Sequence, residues 1–204
     1  MISRRGLLGG TAGVGVLTLA QGVPAYAANQ GVGAHAANQG WTGDVSANGW
    51  RIDAAAIATH RVEGSATSVA LRGGPTAAVL LHVARRWHYE IAPLDTGEGG
   101  GVAGHRRDRT SVAADFESNY LSGTAVALHP TAYPLGGSEL LRQHQEAVVR
   151  EILVDCAGTV VWGGDLTPVM VSHFHITAPP GDATLARLAA KFGPGLHSRA
   201  GVRR

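Results

Sequence analysis

At 204 residues, with 45% hydrophobic and 16% charged content, the chain has enough apolar material for one core and little for two. Its single cysteine, Cys156, excludes an internal disulfide and a thiolate-cluster zinc site. The formal charge of +2 rests on Arg4 and Arg5, and three of the remaining bases crowd into the last six residues, so no clustered basic face is left to suggest nucleic acid.

Paired arginines precede an apolar, Gly/Ala-rich run from Gly6 to Ala20, followed by the small-residue site Ala25-Tyr26-Ala27. That pattern reads as a twin-arginine leader over residues 1–27, and predicts a secreted, extracytoplasmic protein without a stable membrane span once the leader is removed. Ala-Ala-Asn-Gln-Gly occurs twice, at Ala27 to Gly31 and Ala36 to Gly40, and residues 28–47 read as a flexible linker. Order is expected from Asn48-Gly49-Trp50, where Trp50 is the first large anchor. The folded unit is then 48–192, with a basic tail over 193–204.

Ala66 to Leu71 alternates weakly and predicts a short strand. Gly73-Gly74-Pro75-Thr76 then feeds a helix with proline at its first position, on which Val79, Leu80, Val83 and Trp87 share one face. His88 to Leu94 has the look of a strand, ended by Pro93 and the loop Gly97 to Gly101. Ser138 is a candidate N-cap for a helix through Ala157, with Leu141, His144, Val148, Ile152 and Cys156 inward and Gly158 as the stop. Short strands are expected at Thr159–Trp162 and His173–Ile176, about the turn Gly163-Gly164-Asp165. A last helix runs from an Asp182 cap to Phe192, with Leu185, Leu188, Ala189 and Phe192 inward. Helices mixed with short strands indicate an α+β domain.

In a strand, residues two apart share a face, so His173 and His175 should project together while Phe174 and Ile176 enter the core. Paired imidazoles are a natural start for a zinc site, and a more common arrangement is a surface or satisfied core pair. His129, two residues after Ala127, could face the same space. Arg106, Arg107 and Arg109 read either as a solvated basic turn or as a carboxylate clamp, since a guanidinium grips a carboxylate through two parallel hydrogen bonds.

The order of several motifs carries a resemblance. Asn48-Gly49-Trp50, Arg61-Val62-Glu63-Gly64-Ser65, Arg85-Arg86-Trp87-His88-Tyr89-Glu90-Ile91, Ser118-Asn119 through Ala125, Tyr133-Pro134-Leu135-Gly136, Trp162-Gly163-Gly164-Asp165 and His173-Phe174-His175-Ile176 are similar to the M15 zinc peptidases. These are D-alanyl-D-alanine carboxypeptidases and L-alanyl-D-glutamate endopeptidases of bacterial cell walls. The resemblance implies an M15 fold, a small antiparallel sheet packed against helices, and a monomer acting at peptidoglycan.

That family writes its first metal motif as Ser-x-His-x-x-Gly-x-Ala-x-Asp and places an acid three residues before a final histidine. Ser118, Gly123 and Ala125 match and His173 keeps the last ligand, but Tyr120 stands for the histidine, Ala127 for the aspartate and Met170 for the general base. Two readings follow. In one, catalysis is lost and the domain binds peptidoglycan stem peptides or a wall-associated partner, with Arg106, Arg109 and Ser118 at the ligand. In the other, a displaced zinc site uses His173 with His129, His175 or Tyr120, and Asp115 or Glu117 as the acid. Tyrosinate would need a phenol pKa far below its usual value near 10.

Overall fold

A computed structural model describes residues 40–193. The expected leader (1–27), the linker as far as residue 39, and the tail beyond Gly193 lie outside the described residues. The described chain carries four α-helices and two small antiparallel sheets, an α+β architecture.

The first sheet is a hairpin of β1 (Ile57–Arg61) and β2 (Ser68–Arg72), in register from Ile57 opposite Arg72 to Arg61 opposite Ser68. β2 lies where alternation predicts a strand. β1 went unpredicted because its burial is shallow, with only Ile57 and His60 partly covered. Gly74 and Pro75 then open α1 (Pro75–Glu90), whose face of Val79, Leu80, Val83 and Trp87 is fully buried as the helical spacing requires.

His88 to Leu94 is not a strand. His88 to Glu90 complete α1, and the Trp87 carbonyl accepts the N–H groups of Ile91 and Ala92, closing the helix end. The Nδ1 of His88 then accepts the Leu94 N–H at 3.0 Å, turning the chain away. These residues looked extended because Tyr89 and Ile91 are of types enriched in strands, a weak preference that the packed face of α1 overrides.

The second sheet has the order β3 (Val102–Ala103), β4 (Ala125–Leu128), β6 (His173–Ile176) and β5 (Val160–Trp162), with every pair antiparallel. Val126, Leu128, Phe174 and Ile176 face the main core, where α1 meets α3 (Gln143–Asp155) and α4 (Ala183–Phe192). Trp87 is the centre of that core, edge-on to Phe174 at 5.9 Å between ring centroids. A fully buried aromatic of this size contributes about 2–3 kcal/mol.

Ser138 does not cap α3. The helix starts five residues later after Arg142, whose N–H is accepted by the Gln145 side chain at 3.0 Å. Its buried stripe is Val149, Ile152 and Cys156, flanked by Val148 and Leu153, while His144 is exposed. Burial pushes the Cys156 thiol up to about 12, which leaves it a packing group. Asp182 caps α4 as expected, accepting the Leu185 N–H at 2.7 Å, and Leu185 and Leu188 point inward.

Residues 40–47, expected in the linker, are instead a strap laid on the domain. Trp41 N–H bonds the Arg109 carbonyl at 2.8 Å, and Val45 bridges Arg51. Ser46 is buried, and its hydroxyl lies 2.8 Å from that of Ser122. Asn48 spans further, with Nδ2 donating to Thr124 Oγ1 at 2.8 Å and to the Ile176 carbonyl at 2.7 Å. Small polar residues resemble a linker in composition, but here their hydrogen bonds go to buried partners. Trp50 closes the strap against the core, its indole N–H donating to the Ala178 carbonyl at 2.9 Å.

Candidate functional site

Opposite the main core, the second face of the four-stranded sheet carries His173 and His175 on β6 and Ala127 and Ala125 on β4. The register sets Ala127 directly across from His173 and Ala125 across from His175. Alanine is the smallest neighbour that keeps a side chain, so each ring has room on the sheet surface. Tyr120 reaches this face from the short α2 (Ser118–Leu121), and Met170 from the turn before β6. Tyr120, Ala125, Ala127 and Met170 pack as one cluster, with Phe116, Ala103 and Leu135 against it.

The local backbone explains the arrangement. Gly123, at φ 69°, turns the chain from α2 into β4, and a Cβ there would run into Ile57 and the Arg72 backbone nitrogen. Gly163 has a comparable role beneath the histidine: a Cβ at that position would lie 2.8 Å from His173 Cβ and collide with the Met170 carbonyl. The turn Gly163–Asp165 is held from outside by Arg150, whose guanidinium forks onto both Asp165 carboxylate oxygens at 2.5 and 2.8 Å and sits over the Trp162 ring.

A continuous polar chain runs through the cluster. The Tyr120 hydroxyl is 2.7 Å from His173 Nδ1, and His173 Nε2 is 2.9 Å from His175 Nδ1. One tautomer set satisfies the whole chain: the phenol donates to His173 Nδ1, and the Nε2–H of His173 donates to His175 Nδ1. Tyr120 and His173 are fully buried, and His175, 9% exposed, is the end nearest solvent. Phe116 lies beside His173 at 4.8 Å between centroids.

Electrostatics keep every member neutral. Burial holds His173 well below its ordinary value, with the neighbouring His175 and the charge of Arg106 adding to the effect. Burial alone takes His175 down to about 4. The Tyr120 phenol is pushed up by burial, and the Arg106 charge only partly opposes this.

Arg106 covers the cluster. Its guanidinium carbon lies 4.4 Å from the centre of the Tyr120 ring, and one nitrogen is 3.7 Å from Glu117 Oε1. Its side chain is one third exposed. Glu117 is buried, and its other oxygen accepts the N–H groups of Ala113 and Ala114 at 2.9 and 3.1 Å.

The remaining sequence candidates lie elsewhere or are spent. His129 takes a left-handed conformation, φ 56°, immediately after β4, so the strand alternation that would aim it toward His173 is broken. Its Nδ1 accepts from the Trp87 indole at 2.9 Å and its Nε2 lies 3.1 Å from the Pro93 carbonyl. A metal centre built on His173 and His129 is therefore not formed. Arg109 donates to the Gly43 carbonyl at 2.6 Å and holds the strap rather than a ligand. Ser118 is fully buried, donating to the Asp115 carbonyl at 2.6 Å and accepting the Ala47 N–H at 2.8 Å. Arg107 is exposed, and Asp115 forms part of the short turn that leads into α2.

Zinc is the ion the resemblance implies, and the donor set does not fit it. The two imidazoles bond to each other, the phenol is held protonated, and Ala127 brings no electron pair to the sheet face. Among the described residues no three histidine, cysteine or carboxylate groups come together as a metal cluster. Sequence reasoning missed Phe116 and the stacking of Arg106 on Tyr120. The second of these joins residues 14 apart across a loop and leaves no periodic trace. No described helix is long and apolar enough to cross a membrane. Comparison with family models, curated proteins and solved structures returned no match.

Proposed function

We propose that the chain is an exported, cell-wall-associated protein of M15-peptidase-like build that binds peptidoglycan stem peptides without cleaving them. One observation carries the reading. Tyr120, Ala127, Met170 and His173 stand at the positions that the resemblance assigns to three ligands and a general base, and they gather on one sheet face although 50 residues separate the first from the third. That gathering is the arrangement the resemblance calls for. What gathers is a phenol, a methyl and a thioether around one imidazole, a set that packs well and lacks both the carboxylate ligand and the carboxylate base that the resemblance places there.

Arg106 supplies the binding element. It is partly exposed above Tyr120, and Glu117 engages it only through one oxygen at 3.7 Å. A guanidinium one third exposed suits a peptide carboxylate, such as the terminus of a stem peptide. The test is co-sedimentation of the purified protein with isolated cell-wall sacculi, together with chromatography of the soluble fraction. The expected result is sedimentation that free stem peptide competes away and Arg106→Ala weakens about tenfold, with no peptide released even with added zinc. Zinc-dependent release of stem peptides, or no sedimentation at all, would overturn the proposal.

A further inference from the structure

The β3 edge of the four-stranded sheet is left open. Leu128 donates its N–H to the Ser172 carbonyl on the β6 side at 2.9 Å, and the Gly101 carbonyl accepts the His129 N–H at 2.7 Å. Val102, directly across from Leu128, therefore aims its own N–H and C=O away from β4. On the hairpin, the ladder bond from the Val62 N–H to the Thr67 carbonyl at 3.1 Å turns the next residue, Ser68, away from β1 in the same manner. β2 and β3 touch where the His105 N–H donates to the Ala70 carbonyl at 2.7 Å, and among the described residues no ladder joins the two strands. Beside that contact lies an open pocket of about 460 Å³, lined by Thr67 and Val102, by the buried Leu94 and the exposed Asp95, and by glycines of the loop that follows.

Each feature restricts the occupant. Unspent main-chain groups on a sheet edge take up another strand, which recovers the missing ladder bonds. Asp95 sets the charge. Its Oδ2 accepts the Ala66 N–H at 3.0 Å and the Ser65 hydroxyl at 3.3 Å, which holds the carboxyl below the usual range. Among the described residues neither Asp95 nor Glu98 forms an ion pair. We propose that the wedge between β2 and β3 is a docking slot for a partner protein, which inserts a short extended segment with a basic side chain beside Asp95. Main-chain bonds to Val102 and Ser68 supply the affinity, and the acid selects the charge. The slot is distinct from the carboxylate site at Arg106: an all-L segment keeps its side chains alternating on the pleat, whereas the D-residues of a stem peptide would break that alternation.

The test is selection of random all-L heptapeptides, displayed on phage, against the purified protein, followed by titration of the selected peptide made by synthesis. The selected peptides are expected to share a basic residue flanked by alternating apolar and polar positions. Methylating alternate amide nitrogens of the peptide, which removes strand donors and leaves the protein untouched, should weaken binding about tenfold. Asp95→Asn, which keeps an acceptor for the Ala66 N–H, should weaken it by a similar factor with the urea midpoint unchanged. No selected peptide, a consensus without a basic residue, or binding indifferent to either change would overturn the slot. So would competition by free stem peptide, or a second copy of the chain filling the slot, seen as a dimer by analytical ultracentrifugation. Sacculus binding is scored without these peptides, so this proposal and the stem-peptide reading fail independently.

Discussion

The phenolic oxygen of Tyr120 stands 2.7 Å from Nδ1 of His173, and both side chains are fully buried. The pair is the inner end of the polar chain that occupies the sheet face. Removing the hydroxyl by Tyr120→Phe leaves the imidazole nitrogen without a partner in a site that water does not reach. The expected loss is about 1–3 kcal/mol, read as a lowered urea midpoint with an unchanged slope.

Stability of the metal-free protein should fall with acid earlier than carboxylate protonation would require. His175 has its folded pKa at about 4 against an ordinary 6.5, and His173 is displaced the same way. Both rings are neutral in the folded state, so between about pH 6.5 and 4 the unfolded chain takes up protons that the folded chain refuses. The stabilisation is complete above 6.5 and declines as pH falls, by up to about 1.4 kcal/mol per pH unit for each ring. Denaturation midpoints at pH 7.5, 6 and 5 measure it, and a flat profile would contradict the burial assigned to the pair.

His129 belongs to the core and not to the site. His129→Ala leaves the Trp87 indole N–H unpaired within the main core and should cost about 1–3 kcal/mol. Sacculus binding, measured where the variant is still folded, should not change. A selective loss of binding would return His129 to the functional face.

The two arginines once paired as clamp candidates should separate by phenotype. Arg109→Ala frees the strap, lowering thermal stability and increasing proteolysis near residues 41–47, with wall binding intact. Arg106→Ala should weaken wall binding while leaving residues 41–47 as protected from protease as in the native chain.

If the convergence of Tyr120, Ala127, Met170 and His173 reflects the build of a metallopeptidase, the site should be recoverable. The triple substitution Tyr120→His, Ala127→Asp, Met170→Glu places two donors and an acid around His173. It is expected to retain about one equivalent of zinc after gel filtration, whereas the native chain retains none. Failure of a folded triple variant to hold zinc would argue against the shared geometry.

How much of this could be read from the residues depends on range. Period-2 alternation placed Phe174 and Ile176 in the core and His173 and His175 together on the other face, and helical spacing placed α1 and α4. Those are local signals, and local signals survive tertiary context. His129 failed because one residue in a left-handed conformation breaks the alternation on which its placement depended. Ser138 failed because good cap chemistry occurs in loops as readily as at helix starts. The strap failed because composition cannot reveal that Ser46 and Asn48 have buried partners more than 70 residues away.

Asn48 has a bearing on the order in which the molecule assembles. Its side chain closes onto the carbonyl of Ile176, 128 residues later, and Trp50 onto that of Ala178. A chain emerging from the ribosome cannot seat Asn48 and Trp50 until β6 and the residues just after it have been made, and the sheet face carrying the histidines is incomplete until then as well. Seating of residues 46–50 is therefore a late, non-local event that waits on Ile176 and Ala178. Shortening the chain from its C-terminal side to remove β6 should leave residues 40–50 open to protease, even though they were synthesised first.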